Sequence, residues 1–501
     1  MKNNILTNHK NEIAGVISVN DRIIIRGNLP GISYKDGMTS YLYSNKIKIF
    51  DYVKFASDLR DEYNVYVANF AKENNIPVKA LNSYKISKEN EVRKYLEIRG
   101  DSPGLICILS AVEGCPTYYP WRDKKTGKSF LRYRPGKCKH YYFYFMDEEF
   151  GLCYLRIATY APFGLQFYCN GHNILAKKLD KAGIKYHMLD NSFDYIGNYE
   201  RTQELANSID TQQLKARLEY YAKLYCPVHG RFSSHHHWSI MQIEYSTDII
   251  FKSREALAGI YEDITKTAVH TVKVNNIATF LGKRFTKAFN EEAGSKYRVL
   301  LEGTCIKHFL GKNSIKMYDK FGQILRIETT SNDVSKFFIY RQVHHRDGSL
   351  EMKYASAPKD IFYMNDISNK MFMANNRYIE YISAFEEHSV ERKKLDRVTE
   401  KVVENNRSYR GINFFSKDDE ALLKTIMLGE FNINGFRNKD IRRKLKNKKP
   451  GQISRIIKNL RLHGILKKVA KRYKYYITDS GKDVILSVFR MKELYLIPNL
   501  S

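Results

Sequence analysis

The sequence predicts a multidomain α+β protein: an antiparallel-sheet α/β body followed by a small helical unit that carries a two-stranded ribbon. Three observations predict it. Strand-like runs with period-two alternation recur between residues 12 and 330, bounded by turn residues. From residue 416 onward the apolar positions recur at helical spacing instead. The chain is also long, 501 residues with 43% apolar side chains, enough for more than one core.

Taken in order, residues 12–28, EIAGVISVNDRIIIRGN, read as a hairpin turning at Asn20-Asp21. Two helices, IFDYVKFASDLRDEYNVYVANFAKENN and SKENEVRKYLEIRGD, and a buried strand, GLICILSAVEG, complete an expected α/β unit over 1–115. Residues 117–172 hold 16 aromatics and nine Lys or Arg. FLRYRP, KHYYFYFMD, LCYLRIATY and LQFYCNG read there as four strands of a meander. Alternation puts Tyr154 and Arg156 on one face, and with Arg132 and Arg134 they are candidates for stacking bases and holding phosphates. The plainer alternative is that these rings fill a core.

The central domain is expected over 116–385. In WSIMQIEYSTDIIF, Ile243 and Tyr245 face inward while Glu244 and Asp248 share the polar face. SIKMYDKFGQILRIETT is a hairpin about DKFG that turns Lys316, Tyr318, Arg326 and Glu328 to one side. If the two acid-bearing strands are neighbours, Glu244, Asp248 and Glu328 form a site for Mg²⁺ or Mn²⁺ that would polarise a phosphodiester. The alternative is a solvated face on which Lys316 and Arg326 pair with the acids. A long charged helix is expected from Asn375 to Asn405, within a helix-and-linker segment over 375–411.

Residues 412–501 close the chain. Helices are expected over SKDDEALLKTI, NKDIRRKL and, from Pro450, QISRIIKNLRLHG. ILKKVA, a basic tip at Lys471-Arg472, YKYYIT and a helix from Asp479 follow. Between Arg437 and Tyr476, sixteen Lys or Arg stand against one acid, Asp440. This order makes a winged helix-turn-helix, and LRLHGILKK…YKYYITDSGKDV resembles the recognition helix, wing and following helix of MarR-type regulators. The resemblance implies duplex DNA binding. Arg455, Lys458 and Arg461 would enter the major groove, Arg442 and Arg443 would add to the surface, and Lys471 and Arg472 would flank it.

KMYDKFGQILRIETT is also similar to a hairpin of replication initiators from filamentous phages and rolling-circle plasmids, in which a YDK strand precedes an R-x-E strand. The similarity covers fewer than twenty residues. It implies a tyrosine nucleophile, for which Tyr378 and Tyr381 share a helix face, and a His-hydrophobic-His metal motif. His235-His236-His237 departs from that motif. Two Cys-x-x-His pairs, Cys169/His172 and Cys226/His229, lie 57 residues apart, which makes zinc the weaker expectation.

A net charge of +29 points to a polyanionic partner. The first expectation is a nucleic-acid-binding protein of mobile-element or replication-initiator type. Its winged helix would hold duplex DNA, and its sheet would hold a strand or cleave it as a metal-dependent nuclease. The alternatives are a non-enzymatic winged-helix transcriptional regulator and an RNA-binding ribonucleoprotein component. Seven scattered cysteines, no signal-peptide-like start and no 18-residue apolar run predict a cytoplasmic protein with no membrane partner.

Overall fold

A computed structural model describes residues 4–82, 86–232, 234–283, 292–300, 303–383, 388–445, 448–469 and 473–492. The fold is α+β, and the chain divides into two compact units, Met1–Ser383 and Ala384–Ser501.

The first unit is built on one sheet. Its strands are β1 (Ile13–Asn28), β2 (Val78–Ala80), β3 (Gly104–Arg122), β4 (Ser129–Asp147), β5 (Gly151–Ala158) and β6 (Leu165–Asn170). A separate small hairpin, β7 (Tyr186–Leu189) and β8 (Ser192–Ile196), follows. The sheet resumes with β9 (His237–Phe251), β10 (Ala293–Leu300), β11 (Gly303–Leu310), β12 (Asn313–Lys320) and β13 (Ile324–Ser331). The order is β10-β11-β12-β13-β9-β1-β6-β5-β4-β3-β2, antiparallel except where β2 meets β3. The boundary expected near residue 115 is therefore absent: β1 lies between β6 and β9, inside the sheet the later strands build.

The Asn20-Asp21 hairpin is also corrected. β1 is one continuous 16-residue strand. Its ladder with β9 slips between Asn20↔Tyr245 and Ile23↔Ile243, leaving Asp21 and Arg22 opposite the single residue Glu244. This is a bulge, a device that re-aims side chains. Local turn propensity lost to strand pairing on both sides. Likewise FLRYRP and KHYYFYFMD are one strand, β4, with Pro135 opposite Pro116 of β3. That part of the hairpin lies beyond the pairings with β2 and β5, so neither missing N–H breaks a ladder to an outer strand.

One face of the sheet packs against the helices Tyr52–Glu73, Thr211–Tyr225 and Met364–Ile382, in a core containing Ile23, Phe143, Leu155, Phe167 and Ile243. The other face is covered over β3 and β4 by the helix Lys88–Arg99 and over β1, β9 and β13 by the helix Gly171–Ala182 with β7–β8. Gly171 lets that second helix start against the bulge, since a Cβ there would collide with the Asn20 carbonyl oxygen.

The second unit begins with the helix His388–Thr399 and the hairpin Val402–Glu404/Arg407–Tyr409. Asn405 and Asn406, at φ of 50° and 60°, make its turn. The helix expected over 375–405 is thus two helices, one ending at Ile382 in the first unit, and the 375–411 segment is shared between units. Helices Lys417–Ile426, Gly429–Asn434, Asn438–Lys444 and Pro450–Leu462 follow. The ribbon Leu466–Val469/Lys474–Ile477 and the helix Asp479–Met491 close the unit. Leu423, Ile441, Ile453, Ile457, Leu460 and Ile485 form its core. Among the described residues, no helix is long and apolar enough to cross a membrane.

Candidate functional site

Cross-strand register decides which side chains share the less covered face. Lys316 pairs with Glu328, Tyr318 with Arg326, Arg326 with Asp248 and Thr330 with Glu244, so all stand on one side of β12, β13 and β9. Glu244 and Glu328 converge as the sequence suggests. Their third partner is Asp21, delivered by the bulge: one carboxylate oxygen of each lies within 4.8 Å of the others. Lys316 Nζ is 2.6 Å from Glu328 Oε1 and 3.9 Å from Glu244 Oε1, and the Tyr318 hydroxyl donates to Glu328 Oε2 at 2.9 Å. Burial first, and then the Glu328 charge, push the Glu244 carboxyl up to about 7, with Lys316 and Arg22 pulling back only in part.

Asp248 does not belong to this cluster. It faces the same way, but the fully buried Arg326 takes both its oxygens, at 2.7 and 2.6 Å. The Arg326 guanidinium also donates to His172 Nε2 at 3.1 Å and to the Asn191 carbonyl at 2.7 Å. His172 Nδ1 bonds Asp21 at 3.1 Å, and the amides of Asn170 and Asn191 donate to the same carboxylate. Burial alone would raise the Asp21 carboxyl. His172, then Arg326 and Asn170, hold it far below the usual carboxylate range. Asp21 is thus an anion fixed in place, one oxygen of which joins Glu244 and Glu328. Its signal in the sequence is an acid inside an otherwise apolar run, masked by the turn propensity of Asn20-Asp21.

Next to the acids, Arg22 lies over the Tyr168 ring at 5.7 Å. Tyr154 stacks on Tyr168 at 4.9 Å, and Tyr142 and Tyr144 pack beside them. Tyr142 and Tyr144 are buried and Tyr154 and Tyr168 half-buried, so much of the aromatic surplus is packing. Their edges line a cleft of about 500 Å³ with Arg22, Lys88 and Arg93. Arg156, expected to be free, is held by Glu113 at 2.8 and 3.0 Å and by Tyr142, because the β3–β4–β5 register sets the acid beside it. Arg132 and Arg134 are exposed, as expected.

Tyr378 and Tyr381 stand on the wrong side for the acids. Asn375 of their helix bonds Thr247, Thr329 and the Tyr245 carbonyl, and Phe372 packs on the Tyr245 ring, all on the opposite face. Tyr378 is buried against His308 at 3.0 Å, and Tyr381 donates to the Thr271 carbonyl. Helical spacing told which residues share a face and not which face meets the acids. The Cys-x-x-His residues have other surroundings: Cys169 and Cys226 lie in the apolar core, and His172 is in the Arg326 network. His229 bonds His236 and the Pro162 and Phe163 carbonyls.

In the second unit Arg442, Arg443, Arg455 and Arg461 are exposed. Lys458 is engaged by the preceding hairpin, 2.9 Å from Glu404 and 5.1 Å from the Tyr409 ring centre, so the face expected to be free carries a partner. Arg455 lines a cavity of about 800 Å³ with Arg410, Asp418, Asp419 and Lys444. Lys471 and Arg472 lie outside the described residues. Set against known proteins, the chain matches no protein-family model, no curated protein and no solved structure.

Proposed function

We propose that this chain binds nucleic acid and processes a single strand on the less covered face of its sheet. The second unit acts as a winged helix that engages duplex DNA. One observation carries the reading: Tyr154, Tyr168, Arg22, Lys316 and the carboxylates of Asp21, Glu244 and Glu328 share one sheet face. Rings offer stacking surfaces to any base and cations offer contacts to phosphates. Clustered carboxylates are what a divalent cation needs to polarise a phosphodiester. Such an ion would be held by Asp21, Glu244 and Glu328, and its charge would relieve the repulsion that raises Glu244. In the second unit the support is the helix–helix–ribbon–helix order, with exposed Arg442, Arg443, Arg455 and Arg461.

A second reading has its own observation. Lys316 already sits between Glu328 and Glu244, where a metal would lie, so the sheet would hold a strand without cutting it. End-labelled oligonucleotides incubated with protein and Mn²⁺ separate the two. The first reading expects shortened products that vanish in Glu328→Gln while binding persists. Binding without products at any Mn²⁺ concentration leaves the second.

A further inference from the structure

We propose that the outer half of the β3–β4 hairpin is an arm that binds single-stranded nucleic acid, an extension of the strand site that rests on the reading above. Pairing with β2 ends at Ser110 and pairing with β5 ends at His140, so beyond these residues each strand has only the other as a ladder partner. From Cys115↔Gly136 to Arg122↔Ser129 this ribbon runs eight residue pairs, roughly 24 Å at about 3.4 Å per residue. One face leans on the body: Tyr118 donates to the Ser33 carbonyl, and Leu131 is buried with its N–H bonded to Thr39.

The opposite face sets rings beside cations, with Trp121, Arg132 and Arg134 exposed and Tyr119 and Phe130 half-buried. Arg132 lies 4.1 Å from the Trp121 ring centre, and Arg134 lies 5.7 Å from that of Tyr119. Trp121, 39% exposed, has open surface left for a further planar group. Strand alternation puts Arg132 and Arg134 on the same side as His140 and Tyr142, hence on the face that carries the acid cluster. At the root of the ribbon a cavity of about 230 Å³ is lined by Arg26, His140, Arg156 and Gln166.

Charge identifies the class of occupant. Residues 117–139 contain eight Lys or Arg and one acid, Asp123, whose carboxylate accepts the Lys125 and Thr126 N–H groups of its own turn. A surface this basic calls for a polyanion. The ring–guanidinium pairs narrow it to one with accessible planar faces, which a single strand presents and a duplex or an acidic polypeptide does not.

The test uses Trp121 as its own reporter. The full chain has two tryptophans, and the other, Trp238, is buried with its indole N–H bonded to Glu219. Titration with an oligo(dT) of about 20 nucleotides should quench fluorescence saturably, and the quench should disappear in Trp121→Phe. Arg132→Ala with Arg134→Ala should weaken binding several-fold and flatten the salt slope by about 1.4, from roughly 0.7 per phosphate contact. Oligo(dT) that binds by anisotropy but leaves Trp121 unquenched overturns the arm while sparing the sheet site. A duplex of equal length that binds and quenches as well, or poly-glutamate that competes on equal terms, overturns the single-strand assignment. No binding of oligo(dT) in any assay overturns the underlying reading with it.

Discussion

Glu244→Gln is expected to stabilise the protein at pH 8 in the absence of divalent ions. Burial and the adjacent Glu328 move the Glu244 carboxyl from 4.5 to about 7. A folded value above the unfolded one means that the unfolded chain loses its proton first. Stability therefore falls as pH rises through the window from 4.5 to about 7, and the loss is complete above it. The size of that shift corresponds to about 3 kcal/mol, of which Gln, neutral at every pH and similar in shape, should recover most. Urea denaturation at pH 5 and pH 8 measures it directly: the variant should gain little at pH 5 and about 2–3 kcal/mol at pH 8. A cation that joins the carboxylates relieves the same repulsion. Mn²⁺ at about 100 times its Kd should stabilise the native protein by about 2.7 kcal/mol and the variant by less. If Glu244→Gln gains nothing at pH 8 and Mn²⁺ changes neither protein, the acids do not repel one another and the metal site is refuted.

Other outcomes follow from the same geometry. Asp248→Asn removes the carboxylate that takes two hydrogen bonds from the buried Arg326, leaving it only Asp21 at 3.6 Å, and should cost about 3 kcal/mol in chemical denaturation, whereas Tyr381→Phe should cost little. Gly171→Ala should lower the melting temperature and weaken strand binding together, because it pushes the helix off the bulge that aims Asp21. If strand cleavage passes through a protein–DNA adduct, mass spectrometry should find it on Tyr318, whose hydroxyl meets Glu328, and Tyr378→Phe should leave it intact. In the second unit, Arg455→Ala and Arg461→Ala should each flatten the salt slope for duplex DNA by roughly 0.9, and Lys458→Ala by less, since Glu404 already holds it.

Much of the acid cluster was legible because it follows from alternation. Period-two patterns in β9 and across the DKFG turn fix which way Glu244, Asp248, Arg326 and Glu328 point, and the strands turned out to be neighbours. What separates Asp248 from Glu244 is the reach of one buried arginine, which no pattern encodes. Asp21 was hidden because a bulge exists only relative to a partner strand, and β9 is more than 200 residues away in sequence. The same non-locality erased the boundary near 115. Tyr378 and Tyr381 were misplaced because a helix face has no address until the helix packs. In the second unit the core periodicity was readable, but the cover over Lys458 depends on a turn at Asn405-Asn406 that the charged run concealed.

Ultraviolet cross-linking of the full chain to oligo(dT), with the modified peptides identified by mass spectrometry, tests the central claim most directly. Strand binding on the less covered sheet face predicts adducts on Tyr154, Tyr168 and Trp121, which lie on that face or on the ribbon that continues it. Adducts confined to residues 384–501, or on the exposed Tyr340 and Tyr354 of the separate two-stranded hairpin Phe338–His344/Leu350–Ser356, would contradict it.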